Sequence, residues 1–177
     1  MLTVRMNDAA VAALGLLRGG QGALGPVDRL VPALRERVAG GVVRYGEVLA
    51  WAGAAVDPKA VSGELCDLTG WECASSSLHL EDFVPVRAGV TDDGQPVLGE
   101  QAQVSLLRQG LVLAGEVCGL AGEGAAPTAV VCIVAVNDTG ATFRFHRPRA
   151  GESWIGRDLD GYRLEKIITV SSGVTAD

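Results

Sequence analysis

The strongest periodicity in the chain lies between residues 100 and 121. In "GEQAQVSLLRQGLVLAGEVCGLAGEG", Val104, Leu107, Leu111, Ala114, Val117, Cys118 and Ala121 recur at three- and four-residue spacing, and Leu106, Leu113 and Leu120 widen the stripe. Apolar positions at that spacing share one helical face, and a face this broad predicts a helix packed on two sides. Gly110, Gly115 and Gly119 each weaken such a helix by about 1 kcal/mol relative to Ala. Close approach of a neighbouring backbone is the expected reason for them.

After this helix the period changes to two. "TAVVCIVAV" and "ATFRFHR" are β-rich runs on either side of the turn Asn137-Asp138-Thr139-Gly140, a hairpin pattern. Pairing Val136 with Ala141 sets Val134 opposite Phe143 and Cys132 opposite Phe145. The other face then joins Ile133 to Arg144 and Val131 to His146. The run 129–136 is apolar on both faces, which marks an interior strand. "EKIITVSS" adds a last strand to the same antiparallel sheet.

Before residue 100 the pattern is weaker. "NDAAVAALGLLRGG" predicts a helix capped by Asn7 or Asp8 and ended at Gly19-Gly20. Val27, Leu30, Val31, Leu34 and Val38 predict a second, starting between Val27 and Val31 because Pro32 fits only in a first turn. "VVRYGEVLAWAG" reads as a third, ended by Gly53. Residues 57–77 read as loop with at most one helical turn, "LHLEDFVPV" as an edge strand interrupted by Pro85, and Asp93-Gly94 as a turn. The expected fold is therefore α+β: a helical N-terminal third followed by an antiparallel sheet with one long helix packed on it. Residues 1–177 are expected to form a single globular domain.

Composition narrows the function classes. With 48% hydrophobic and 20% charged residues over 177 positions, the chain can build a core without staples. Cys118 and Cys132 lie in apolar runs and read as free core thiols. The apolar run 9–17 is too short for a bilayer span and lacks a preceding basic region. The expectation is a cytoplasmic protein with no membrane partner. Charge is uneven: residues 1–56 carry net +2, residues 57–100 net −7 and residues 101–177 net −1. A strongly acidic middle repels phosphate, which argues against a nucleic-acid partner and suits a basic protein.

Candidate chemistry is sparse. Cys73 with His79 or His146 sketches a thiol–imidazole pair, but Glu72 beside it raises the thiol pKa. Cys66, Cys73 and His79 sketch a zinc site, yet their spacing is unlike that of structural zinc motifs. The carboxylates Glu81 with Asp82, and Asp158 with Asp160, read as solvated faces, and no glycine-rich phosphate loop appears. No catalytic residue, metal or cofactor is therefore assigned, and the sequence leans away from an enzyme.

The remaining feature is "FRFHRPRAGESW", which concentrates Arg144, His146, Arg147 and Arg149 in an acidic chain. Alternation puts Arg144 and His146 on one side of their strand, which should end at Pro148. Either Glu152, Asp158, Asp160 or Glu165 satisfies these arginines internally, with Trp154 in the core or as a cap, or Arg144, His146, Arg147 and Trp154 form an anion- or partner-binding site. The leading functional expectation is a small acidic protein-binding module. Like an inhibitor or an antitoxin-like immunity protein, it would mask a basic partner through Glu64, Asp67, Glu72, Glu81 and Asp82. The alternative is a small-molecule or anion binder, or an enzyme, using the Arg/His cluster and a loop cysteine. A dimer through the wide apolar helix is a third.

Overall fold

The structure, a computed structural model, describes residues 1–16, 29–55, 67–123 and 127–173. In chain order its strands are β1 Leu2–Met6, β2 Val42–Tyr45, β3 Val48–Trp51, β4 Leu78–His79, β5 Ala88–Val90, β6 Pro96–Leu98, β7 Val130–Val136, β8 Ala141–His146 and β9 Lys166–Ser172. The helices are α1 Asp8–Ala13, α2 Pro32–Ala39, α3 Leu68–Ser76 and α4 Glu100–Glu123, with a single 3-10 turn at Leu80–Asp82.

The hairpin forms in the register that its side-chain pattern requires. Val136 pairs with Ala141, Val134 with Phe143, Cys132 with Phe145, Ile133 with Arg144 and Val131 with His146. Asn137 closes the turn, its Oδ1 accepting from the backbone N–H groups of Thr139 and Gly140 at 2.9 and 3.0 Å, the local bonding that makes Asn a turn residue. β7 is interior, flanked by β8 and β9 in an antiparallel sheet of order β1-β9-β7-β8-β4.

One face of this sheet is the core. Val130, Cys132, Val134 and Val136, with Phe143, Phe145, Ile168 and Val170, pack with Leu106, Leu107, Leu113 and Val117 of α4. The width of the α4 stripe is used within the chain, since the helix packs on β7 and β9 and also meets α1, α2 and the 3-10 turn. By length and composition α4 is apolar enough to cross a bilayer, and half of that stretch is buried here. The close approach at Gly110 is to a side chain rather than a backbone: a Cβ there would lie 2.6 Å from Val134 Cγ1. Gly115 and Gly119 face open space.

The N-terminal third is not helical as expected; it is mostly strand with two short helices. β1 pairs antiparallel with β9, from Leu2 opposite Ser172 to Met6 opposite Ile168. Its residues 2–5 are all exposed, so burial imposed no alternation that a pattern search could see. Asn7 then switches strand to helix. Its Oδ1 accepts from Ala10 N of α1 and from Ile167 N of β9, both at 3.0 Å, while its Nδ2 donates to Glu165 O at 2.7 Å. α1 is only six residues long: it stops at Ala13, with Leu14 as its cap and Gly15 at φ +68, short of the expected end at Gly19-Gly20, which lies outside the described residues.

The expected third helix is instead the hairpin β2–β3. Gly46 adopts φ +58 in its turn, a conformation that ends a right-handed helix and that glycine tolerates best. Residues 48–51 are all buried, so no polar face existed to distinguish the two periods. α2 begins at Pro32 as its proline demands, and Val31 N donates to Gln109 Oε1 of α4 at 2.9 Å. α3 occupies part of the expected loop, capped by Asp67 Oδ1, which accepts from Gly70 N at 2.6 Å. The strand expected at residues 78–86 shrinks to two residues and the 3-10 turn, while β5 and β6 flank the Asp93-Gly94 turn.

Candidate functional site

The opposite face of the sheet mixes polar and apolar side chains. Register places Arg5, Thr169, Ile133 and Arg144 in one row across β1, β9, β7 and β8, and Thr3, Ser171, Val131 and His146 in the next. Over part of this face the chain after β8 doubles back. Arg149 and Glu152 form an isolated antiparallel bridge around Gly151, whose φ is +81. Gly156 N donates to the Tyr162 hydroxyl at 2.8 Å, Arg5 donates to the Arg157 carbonyl, and Leu159 is buried.

An ion-paired knot anchors this segment at β8. Glu72 of α3 is fully buried and accepts from Leu49 N at 2.6 Å and Arg147 N at 2.9 Å. Arg149 grips the same carboxylate through both terminal nitrogens, at 2.6 and 3.0 Å, and donates to the Glu47 carbonyl at 2.6 Å. Burial lowers the Arg149 pKa, but the Glu72 hydrogen bonds and charge outweigh it and hold the group above its ordinary value. Ser76 completes the join: its hydroxyl donates to Phe145 O and accepts from Phe145 N, both at 2.9 Å, where a further strand would otherwise pair. Trp51 Nε1 donates to Ser76 O at 3.0 Å, and its ring meets Phe145 edge-on at 4.9 Å.

Between the returning segment and the sheet lies an open cleft of about 250 Å³. Val131 and Ile133 give it an apolar floor beside the hydroxyls of Thr169 and Ser171, and Pro148, Ile155 and Leu159 add apolar wall. Arg5, Arg149, Arg157 and His146 bring positive charge and polarity to it, against a single acid, Glu152. Glu152 is already occupied, accepting from Thr69 N at 2.9 Å. Arg149 is neutralised by Glu72. Among the described residues neither Arg5 nor Arg157 has a carboxylate partner. His146 is only 5% exposed, and its Nδ1 lies 2.8 Å from the Arg147 carbonyl. Burial holds its pKa below the ordinary value, with that carbonyl and Glu72 opposing.

Of Arg144, His146, Arg147 and Trp154, the residues expected to bind an anion or a partner, His146 alone lines this cleft. Arg147 donates instead to the Glu47 carbonyl at 2.8 Å and lies 3.4 Å from its carboxylate. Arg144 donates to Thr142 Oγ1 at 2.8 Å and stacks over the ring of Trp154 at 5.4 Å, with Trp154 partly exposed. Glu72 and Glu47 form the ion pairs with Arg149 and Arg147, rather than Glu152, Asp158, Asp160 or Glu165; Glu152 acts on Arg149 only through its nearby charge. Arg5 and Arg157 were missed. Only the strand at residues 2–6 could have pointed to Arg5, and nothing in the sequence pointed to Arg157.

The expected acidic face is largely absorbed into the fold. Glu72 cannot reach a partner, being fully buried. Glu81 Oε2 accepts from Ala141 N at 3.0 Å, and Glu81 Oε1 lies 3.4 Å from His79. Asp67 caps α3. Asp82 remains exposed, and Glu64 lies outside the described residues. Cys73 is not in a loop but on the buried side of α3. Burial pushes its thiol up to about 12, with Arg144 opposing and Glu72 adding to the rise, so it is not an activated nucleophile. In the core Cys132 Sγ donates to the Ala114 carbonyl at 3.8 Å; the neighbouring Cys132 thiol lowers the Cys118 pKa, while burial raises that of Cys132. Among the described residues no three His, Cys, Asp or Glu side chains gather as metal ligands, and Cys66 lies outside those residues.

No curated protein and no solved structure matches the chain. Residues 28–175 match one family model, a stretch that takes in every cleft residue except Arg5. The chain thus belongs to the Uncharacterized protein PM0498 family.

Proposed function

We propose that the protein binds a small organic anion in the cleft between the face of the sheet opposite the core and the segment 148–159. The observation that carries this reading is the convergence on one concavity of Arg5 and Arg157, which lack carboxylate partners, beside an apolar floor. Guanidinium groups without a carboxylate partner favour carboxylate or phosphate, and an apolar floor with a few polar groups favours the carbon skeleton of a metabolite over a bare inorganic ion. The volume lies just below the roughly 300–1,000 Å³ of drug-sized sites, so the ligand is small. The acidic-face reading loses support because Asp67, Glu72 and Glu81 serve the fold.

The test is isothermal calorimetry with short carboxylates and phosphate esters, alongside a thermal-shift screen, because a ligand specific for the folded state raises Tm. Arg157→Gln and Arg5→Gln should each weaken anion binding by about 1.5–3 kcal/mol, the worth of a charge-assisted hydrogen bond. Binding should also fall as salt rises. A panel in which no anion binds at millimolar concentration, or in which both variants bind as the parent does, removes the reading.

A further inference from the structure

His146 has a feature that anion binding alone does not use. Its Nδ1 faces the Arg147 carbonyl, which can only accept, so Nδ1 carries the ring proton. In the neutral ring Nε2 is then a bare acceptor; no described residue donates to it, and it is open to the cleft rather than sealed in the core. Burial favours that neutral form. The ring is nearly buried and lines the cleft, on the same side of the sheet as Arg5 and three strands across from it, so that the two mark opposite ends of the cleft floor. An acceptor in such a place bonds water, and a ligand that displaces the water binds well only if it brings a donor of its own.

We infer that the cleft selects a short-chain hydroxycarboxylate, with the carboxylate toward Arg5 and Arg157 and the hydroxyl donating to His146 Nε2. This rests on the reading of the cleft as an anion site and adds the ligand's second group. A simple fatty acid meets the arginines but leaves Nε2 without a donor. The floor of Val131 and Ile133 takes the hydrocarbon, and about 250 Å³ holds roughly eight water-sized groups. A skeleton of a few carbons fits that space.

The experiment compares 3-hydroxybutyrate with butyrate by calorimetry at pH 7.5, using the full chain. The hydroxy acid should bind about three- to tenfold tighter, the worth of one net hydrogen bond. In His146→Asn, which keeps a donor near the Nδ1 position and removes Nε2, that ratio should fall to about one while butyrate binding persists. Nitrogen-15 NMR of the unsubstituted protein supplies a readout independent of folding. The ring should show the Nδ1-protonated tautomer, and the Nε2 resonance should shift on addition of 3-hydroxybutyrate but not of butyrate. Equal affinity for the two acids, or a ring protonated on Nε2 instead, overturns the hydroxyl assignment and leaves the anion site standing. Failure of both acids to bind overturns the anion site and this inference with it.

Discussion

Replacing Arg149 by Met should expose how much of the fold hangs on one carboxylate. Glu72 accepts four hydrogen bonds, two from Arg149 and one each from the backbone N–H groups of Leu49 and Arg147. Its side chain has no contact with water, so loss of Arg149 leaves a buried charge with backbone donors alone. Removing one partner of such a pair typically costs about 3–5 kcal/mol. For a chain of this size that is a fall in Tm of about 6–20 °C. Glu72→Leu fails differently: Arg149, 14% exposed at its side chain, can turn toward water, but Leu49 N and Arg147 N are orphaned at about 1–3 kcal/mol each. The double variant removes the stranded charge and keeps the orphaned amides. It should therefore be less destabilised than the sum of the singles, by about 1–3 kcal/mol. Urea denaturation with an unchanged m-value measures all three. A cost below about 1 kcal/mol for Arg149→Met, or strict additivity in the double, would show that the pair is not the fastener described.

Other outcomes follow from single sites. Gly110→Ala should destabilise by about 1–2 kcal/mol, because overpacking against Val134 and Leu80 exceeds the gain in helix propensity, whereas Gly115→Ala and Gly119→Ala should stabilise by up to about 1 kcal/mol; thermal unfolding distinguishes the signs. Acidification should reveal His146. Its folded pKa lies below the unfolded value near 6.5, so the unfolded chain takes up the proton first, and stability falls as pH drops below that point; an NMR titration midpoint at or above 6.5 contradicts it. Cys73, fully buried with its thiol near 12, should resist iodoacetamide in the native protein and react only on unfolding; rapid native labelling, read by mass spectrometry, would refute its placement.

Local chemistry determined the C-terminal half. The β7–β8 register was legible pair by pair because one face of the hairpin had to be apolar and Asn137 fixed its turn. α4 was legible because a 24-residue helix repeats its signal many times. α2 began where Pro32 required. Only tertiary structure decided the rest. β1 is a strand because β9 offers it an edge, and its exposed side chains carry no trace of that pairing. β3 is buried on every side, so helix and strand looked alike until Gly46 turned the chain. The cleft is the extreme case. Arg5, His146 and Arg157 are scattered from one end of the chain to the other, and they meet because antiparallel pairing lays β1, β9, β7 and β8 side by side while the knot at Glu72 anchors the returning segment beside them. Sequence periodicity records which side of an element is buried, whereas the neighbours across a sheet are set by long-range pairing.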